Sequence, residues 1–343
     1  VHSIKEEGLK VFLTDSNGIH YKHVRKALPE NEKCNLRMLL SYWYFRDINL
    51  DNLLAKFFQE GAPPDIMADS GAYTAWSKGV NIDIRDYSKW IRRWENYFTA
   101  YANLDVRGDV EQTRRNQGFM EDVGLHPIPV YHADEPIEIL EELVSGYSYI
   151  GIGGIAQAGL TWSAVLGRLV KCFRLVEGRA VFHGFGVTSY ELLSKFRWYS
   201  ADSSSWGQGF RYGNIPIFDE NRGKFFKIRI GDKKAVYRNA KLIRTYDIDP
   251  TILATKRGLT RPLACGISAL CYMRMEKYLR GKHGLISIPH RDDIGTGVKI
   301  YLAENQPTFK DIKNVIPLIS ENVPSAVMRD VNKSEVSIKR DTR

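Results

Sequence analysis

Ile66-Met67-Ala68-Asp69-Ser70-Gly71-Ala72-Tyr73 is an apolar run that breaks, at an aspartate, into a loop of small residues. Trp198-Tyr199-Ser200-Ala201-Asp202-Ser203-Ser204-Ser205-Trp206 repeats the arrangement further along the chain. A strand that ends on a polar side chain and turns through small residues is how barrels and α/β folds present their chemistry, because the carboxyl ends of parallel strands converge on one mouth. Two carboxylates so placed suffice to exchange a group at a sugar carbon, one attacking and the other carrying the proton.

Outward from these two motifs, strand-like and helix-like segments alternate, the pattern of parallel βα units. Strands are predicted at Lys10–Thr14, Met38–Tyr44, Ile66–Asp69, Asn103–Val106, Ile128–His132, Tyr149–Ile152, Val181–Gly184 and Trp198–Asp202. Helices are predicted at Tyr21–Lys26, Asp51–Gln59, Ile84–Tyr101, Asp109–Val123, Pro136–Ser145, Trp162–Val176 and Ser189–Phe196. Eight strands with crossover helices imply an α/β protein with a (β/α)8, TIM-like barrel. After the eighth strand the alternation stops. Residues 207–250 read as an antiparallel β insertion (Ile215–Asp219, Phe225–Gly231, Ala235–Tyr246), and Gly266–Arg280 as the helix that completes the barrel. A late strand and helix are expected at Lys299–Glu304 and Phe309–Leu318, within C-terminal elements at 299–320. The expected organisation is one barrel domain over 1–326 with a polar, frayed tail over 327–343.

The 343 residues fit one barrel with insertions, and a hydrophobic share of 43% against 26% charged is that of a globular protein with a sizeable core. No apolar run approaches a membrane span and no leader-like segment opens the chain, so a cytoplasmic protein is expected, in the host cytoplasm if a phage encodes it. Cys34, Cys172, Cys265 and Cys271 are too few and scattered for a disulfide framework. Cys265 and Cys271, with His283 and His290 downstream, lack any CxxC spacing, and positions six apart on a helix do not share a face; no metal site is expected. Nor is there a Walker-type phosphate loop or a full dinucleotide fingerprint, so no cofactor is implied.

Net charge is +9, and its distribution matters more than its size. Arg222, Lys224, Lys227, Arg229, Lys233, Lys234, Arg238, Lys241 and Arg244 face a single acid, Asp232, with Phe225, Phe226 and Tyr237 interleaved. The plain reading is a hairpin with a solvated cationic face. A one-sided run just after a candidate active-site strand favours nucleic acid, whose phosphates it would neutralise.

In a barrel, Asp69, Asp105, His132, Gly153, Gly154, His183 and Asp202 would all face the mouth. Any one alone reads as a helix cap or an Asx turn, and His132 reads equally well as a core histidine bonded to backbone. Six strand ends carrying polar or glycine positions strain that explanation.

In order, Asp69-Ser70-Gly71, Asn103-Leu104-Asp105, Pro129-Val130-Tyr131-His132, Gly151-Ile152-Gly153-Gly154, His183-Gly184-Phe185-Gly186-Val187-Thr188 and Asp202-Ser203-Ser204-Ser205-Trp206 resemble the tRNA-guanine transglycosylase superfamily. They are closest to its branch that inserts 7-deazaguanine bases into DNA in bacteriophages and some bacteria. The resemblance covers Lys10 to Trp206. It implies Asp202 as nucleophile on C1′, Asp69 as general acid/base, and Asp105 as the reader of a guanine-like ring. It also implies a base pocket shared by Ser70, Tyr73, His132, Gly153, Gly154 and His183, with Tyr73 and His183 flanking the base. DNA and a free 7-deazaguanine base, cyano- or aminomethyl-substituted, are the implied partners. An accessory ATPase or helicase-like protein and a homodimer are compatible with it.

The chain departs from the tRNA branch in ways that point to DNA. Ala72-Tyr73-Thr74 follow the first motif where that branch has Gly-Phe-Gln, and His132-Ala133-Asp134 replace its glutamine-glycine-glycine motif. The stretch after the nucleophile, the CxCxxC zinc signature and an added RNA-binding domain are missing. Three other readings compete with DNA base exchange: tRNA as polymer, an N-glycosidic hydrolase in which water resolves the intermediate, and a non-catalytic nucleic-acid-binding barrel.

Overall fold

The computed structural model describes residues 8–16, 18–155, 161–187, 189–207 and 211–289. Eight strands form one all-parallel sheet: β1 (Lys10–Thr14), β2 (Arg37–Ser41), β3 (Asp65–Asp69), β4 (Ala100–Tyr101), β5 (Val130–His132), β6 (Tyr149–Gly153), β7 (Val181–Gly184) and β8 (Ser200–Ser203). Their order is β4-β3-β2-β1-β8-β7-β6-β5, so β1 and β8 are paired neighbours. Just past β4, Ala102 makes a parallel bridge to Ile128, and Asn103 N–H donates to the Ile128 carbonyl at 3.0 Å. The fold is α/β and TIM-barrel-like.

Side chains alternate across a strand with period two, and that alternation sorts the sheet into levels. Phe12, Leu39, Met67, Val130, Tyr149 and Val181, from six different strands, gather with Ala102, Ile128, Tyr199 and Ile286 in one apolar cluster on the face the curl encloses. Two residues toward the carboxyl end from Phe12, Leu39, Met67, Val130 and Val181 stand Thr14, Ser41, Asp69, His132 and His183. Polar groups therefore occupy the level above an apolar plug. Below the plug, Lys10 pairs with Asp65 (3.3 Å) and Arg37 with Glu276 (2.8 Å), while Glu276 also accepts from Val11 N–H (2.8 Å). The other strand faces bury Val11, Leu13, Met38, Leu40, Ile66, Ala68, Ile150 and Ile152 against the helices.

Helix ends follow local chemistry. Asn49, Asp83, Asp109 and Thr161 each accept a backbone N–H at the start of Leu50–Gln59, Ile84–Trp94, Val110–Asp122 and Trp162–Val176. The helix Arg261–His283 packs on Ile19–Ala27 and on β1. Gly266 permits that approach, since a Cβ there would stand 2.6 Å from Ala27 Cβ. Among the described residues no helix is long and apolar enough to cross a membrane.

Four expectations are corrected. The predicted helix Ile84–Tyr101 stops at Trp94, a 3-10 turn covers Glu95–Tyr97, and β4 takes Ala100–Tyr101. The predicted strand Asn103–Val106 is a loop, because Thr113 and Asn116 bond its backbone: Thr113 Oγ1 accepts from Val106 N–H (2.9 Å) and Asn116 donates to the Leu104 carbonyl (2.8 Å). β2 ends at Ser41, and Tyr42–Phe45 is a helical turn.

In the insertion, β9 (Asn214–Asp219) and β10 (Lys224–Arg229) pair antiparallel, as expected. The predicted strand Ala235–Tyr246 is instead two short helices, Lys233–Arg238 and Ala240–Arg244. Asp232 accepts from Ala235 N–H (2.9 Å), and this cap outweighs the β preference of Val236, Tyr237 and Ile243. Thr188, His290 and the expected elements at 299–320 and 327–343 lie outside the described residues.

Candidate active site

Asp202 is the best-held carboxylate of the polar level. Gly186 N–H donates to its Oδ1 (2.7 Å) and Thr14 Oγ1 to its Oδ2 (3.1 Å). Gly186 adopts a φ of 63° in the turn after β7, a conformation that favours glycine. Trp206, fully buried, donates from its indole to the Thr14 carbonyl (2.8 Å) and stacks on Tyr21. The final tryptophan of the Asp202–Trp206 motif thus locks the residue that holds Asp202.

His183 stands beside Asp202 on the neighbouring strand. It is fully buried, and Phe12 and Phe185 meet its ring edge-on at 6.2 and 4.6 Å. The resemblance gives His183 a place flanking the base; here both aromatic neighbours cover its ring. What it presents is Nε2, 3.6 Å from Asp202 Oδ1 and without a hydrogen-bond partner. Its Nδ1 is 2.7 Å from Ser200 Oγ, which is 2.6 Å from the buried Tyr149 hydroxyl. One donor order satisfies every buried hydroxyl proton here: Tyr149 donates to Ser200, and Ser200 donates to Nδ1. In that order Nδ1 accepts, and Nε2 is the ring nitrogen that faces Asp202.

Asp69 closes β3 in a different setting. Gly71 N–H donates to its Oδ2 at 2.9 Å, the Asx contact expected of a turn aspartate. Gly71 has a φ of 74°, and a Cβ there would lie 2.3 Å from Ser41 Oγ and 2.5 Å from Trp43 Cβ. Loss of water, followed by the charges of Asp105 and Asp202, raises the Asp69 carboxyl to about 7 against the weaker pull of the Gly71 and Ser70 backbone. Ser70 is buried and bonds Ala72 N–H (3.2 Å).

Asp105 reaches the cluster from the loop after β4. Its Oδ2 meets His132 Nε2 at 2.9 Å, and His132 Nδ1 meets Glu135 Oε1 at 2.9 Å. Burial opposes charge on this imidazole, but the two carboxylates outweigh it and raise the ring to about 10. His132 is therefore a cation clamped between two anions rather than a core histidine bonded to backbone. Gly153 accommodates that ring, since a Cβ would sit 3.1 Å from His132 Cδ2; Gly154 has a φ of 69°, with Asp134 Oδ1 2.9 Å from where its Cβ would be. Gly153 thus serves the clamp's packing.

Tyr73 is 69% exposed, on the surface with Trp76. All nine cations of the basic run are exposed, and only Arg222 has a carboxylate in reach (Asp219, 3.7 Å) among the described residues. A cavity of about 620 Å³ in the insertion is lined by Arg229, Gly231, Asp232, Lys233 and Lys256, and shares no residue with the carboxylate cluster. Cys265 and Cys271 are buried in the closing helix, and burial pushes both thiols up to about 12.

Sequence reasoning missed Thr14, Gly186, Glu135, Ser200 and Tyr149, and also Asp15. Asp15 is buried just past β1 and meets His20 Nδ1 at 2.6 Å. It follows an apolar strand as Asp69 does, so the same rule would have found it. The others carry no signal of their own; their roles arise from cross-strand placement. No family model and no curated protein matches the chain.

Proposed function

We propose that this chain exchanges guanine in DNA for a 7-deazaguanine base through a covalent glycosyl-aspartate, in a (β/α)8 barrel that closes between β4 and β5 with its basic insertion after β8. The observation that carries this reading is the contrast between two carboxylates in one cluster: Asp69 raised to about 7, and Asp202 oriented through both of its oxygens.

Asp202 Oδ2 attacks C1′ of the target deoxyguanosine. The C1′–N9 bond breaks, its electron pair passes to guanine, and the Asp69 proton neutralises the leaving base. Asp202 is then an ester whose carbonyl Oδ1 faces Gly186 N–H and His183 Nε2–H, donors that stabilise charge on that oxygen when the ester breaks. The incoming base loses its N9 proton to Asp69, N9 attacks C1′, and Asp202 is released as a carboxylate. A group near 7 gives and takes this proton at neutral pH with little driving-force penalty. Asp105, with Oδ2 held by the clamp, would accept from the N–H edge of the ring, and the cationic insertion would hold flanking phosphates without reading sequence. Reaching C1′ requires an unstacked nucleotide.

Mass spectrometry of nucleosides from plasmid DNA and from bulk tRNA, each incubated with the protein and a panel of 7-deazaguanine bases, tests the reading. A deazaguanosine in DNA, lost in Asp202→Ala, is expected. Incorporation in tRNA alone, or free guanine release without incorporation, would replace it with the tRNA or hydrolase reading.

A further inference from the structure

Beside Asp69 the surface carries aromatic rings and cations in a pattern that neither the reaction nor the core uses. Tyr73 and Trp76, on the short helix Ala72–Ser77 directly after Asp69, are 69% and 58% exposed, with ring centroids 6.0 Å apart. The Arg107 guanidinium, from the loop that carries Asp105, lies 5.3 Å from the Trp76 ring. Trp43, just past β2, has Arg46 at 4.6 Å and Lys78 at 5.5 Å from its ring. The patch is seated on the site: Trp43 packs where a side chain on Gly71 would be, and Gly71 is the residue that holds Asp69. Arg46 has a partner in Asp47 (3.5 Å), whereas no carboxylate is in ion-pair reach of Lys78 or Arg107 among the described residues.

We propose that this patch is a stacking platform for the unpaired bases that flank the target nucleotide in a single DNA strand. Water-facing rings are costly unless a partner covers them, and a base offers a flat face that any aromatic ring can meet. The cations supply the complementary charge for the phosphates on either side of a stacked base, and Arg over an aromatic plane is a geometry that nucleobases extend. A duplex, whose bases already stack on each other, offers no such face. The basic insertion leaves from β8 and the platform from the loops after β2, β3 and β4, so a strand spanning the two crosses the mouth between Asp202 and Asp69. This inference rests on the base-exchange reading for the identity of the polymer and adds its strandedness.

The test uses the full chain and fluorescently labelled DNA, a 15-nucleotide single strand and the matching duplex, with anisotropy read at several salt concentrations. The single strand is expected to bind about ten-fold tighter than the duplex. Tyr73→Ala with Trp76→Ala should remove that advantage, leaving duplex affinity and salt slope unchanged, while Trp76→Phe should retain most of it. Both side chains are more than half exposed, so their truncation leaves the core intact. Equal binding of the single strand by the double variant and the parent would overturn the proposal. So would a dimer in the parent that the double variant dissolves, since a second copy would then cover the patch. Binding that follows these expectations without base incorporation would sink the base-exchange reading and leave the platform standing. Incorporation with an unaffected double variant would do the reverse.

Discussion

The ends of β3 and β8 each present one aspartate to the same enclosed level, and their surroundings are opposite. Asp202 sits among donors: a backbone N–H on one oxygen, a threonine hydroxyl on the other, and the edge of a buried imidazole beyond. Asp69 has a single backbone donor in Gly71 N–H, is cut off from water and has the charges of Asp105 and Asp202 as neighbours, and its carboxyl rises to about 7. Identical side chains thereby become unlike reagents. In the proposed reaction the first attacks from a fixed direction and the second holds a proton at neutral pH. The difference lies in burial and in what the neighbouring strands and the loops after them contribute, Thr14, Gly186 and His183 beside Asp202 and Asp105 beside Asp69.

The comparison breaks first at Asp202. Asp202→Ala removes the oxygen proposed to attack and should lower single-turnover base release by roughly 10⁴-fold, with circular dichroism unchanged. Asp69→Asn should cost about 10³-fold and abolish the pH dependence of the first step. On the proposed mechanism base release in the parent requires protonated Asp69, so its rate should fall as pH rises through about 7. The same shift acts on folding. A carboxyl whose pKa is raised on folding contributes stability at pH below its unfolded value, and that contribution is lost as pH rises through the folded one. Asp69→Asn should therefore melt higher than the parent at pH 8 and lose this advantage near pH 4, as measured by thermal denaturation.

Smaller effects sharpen the contrast. Thr14→Val removes one donor from Asp202 and should slow base release about five-fold without moving the pH limb near 7. Tyr149→Phe, two hydrogen bonds away from the His183 ring that faces Asp202, should cost about three-fold in the same assay. Glu135→Gln weakens the clamp on His132, whose charge now persists to about pH 10. An NMR titration of its ring should show a lower pKa in the variant, with the imidazole still charged at pH 6.

The strand framework was legible because apolar runs bounded by glycine and small residues are local signals. β1 and β7 match the sequence reading residue for residue, and Asp69 and Asp202 follow from the strand-end rule alone. Residues 95–103 misled because the helical pattern of Ile84–Trp94 continues in composition while the chain turns at Glu95–Tyr97 and enters a two-residue strand. Residues 235–246 misled because the cap at Asp232 overrides β-forming side chains. The resemblance gives Gly153 to the base pocket, and nothing in its local sequence shows that His132 packs against it. The role of His183 could not be read from its neighbours in sequence, since it is set by Ser200 and Tyr149 on strands to either side.

The central claim, that Asp202 forms the glycosidic ester and Asp69 only moves the proton, is tested most directly by peptide mass spectrometry. The protein is mixed with a guanine-containing single strand in the absence of any incoming base, quenched in acid within the first turnover, and digested. A deoxyribosyl adduct confined to the peptide bearing Asp202, absent in Asp202→Ala, is the predicted result. An adduct on the peptide bearing Asp69, or guanine released with no adduct on either, would contradict it.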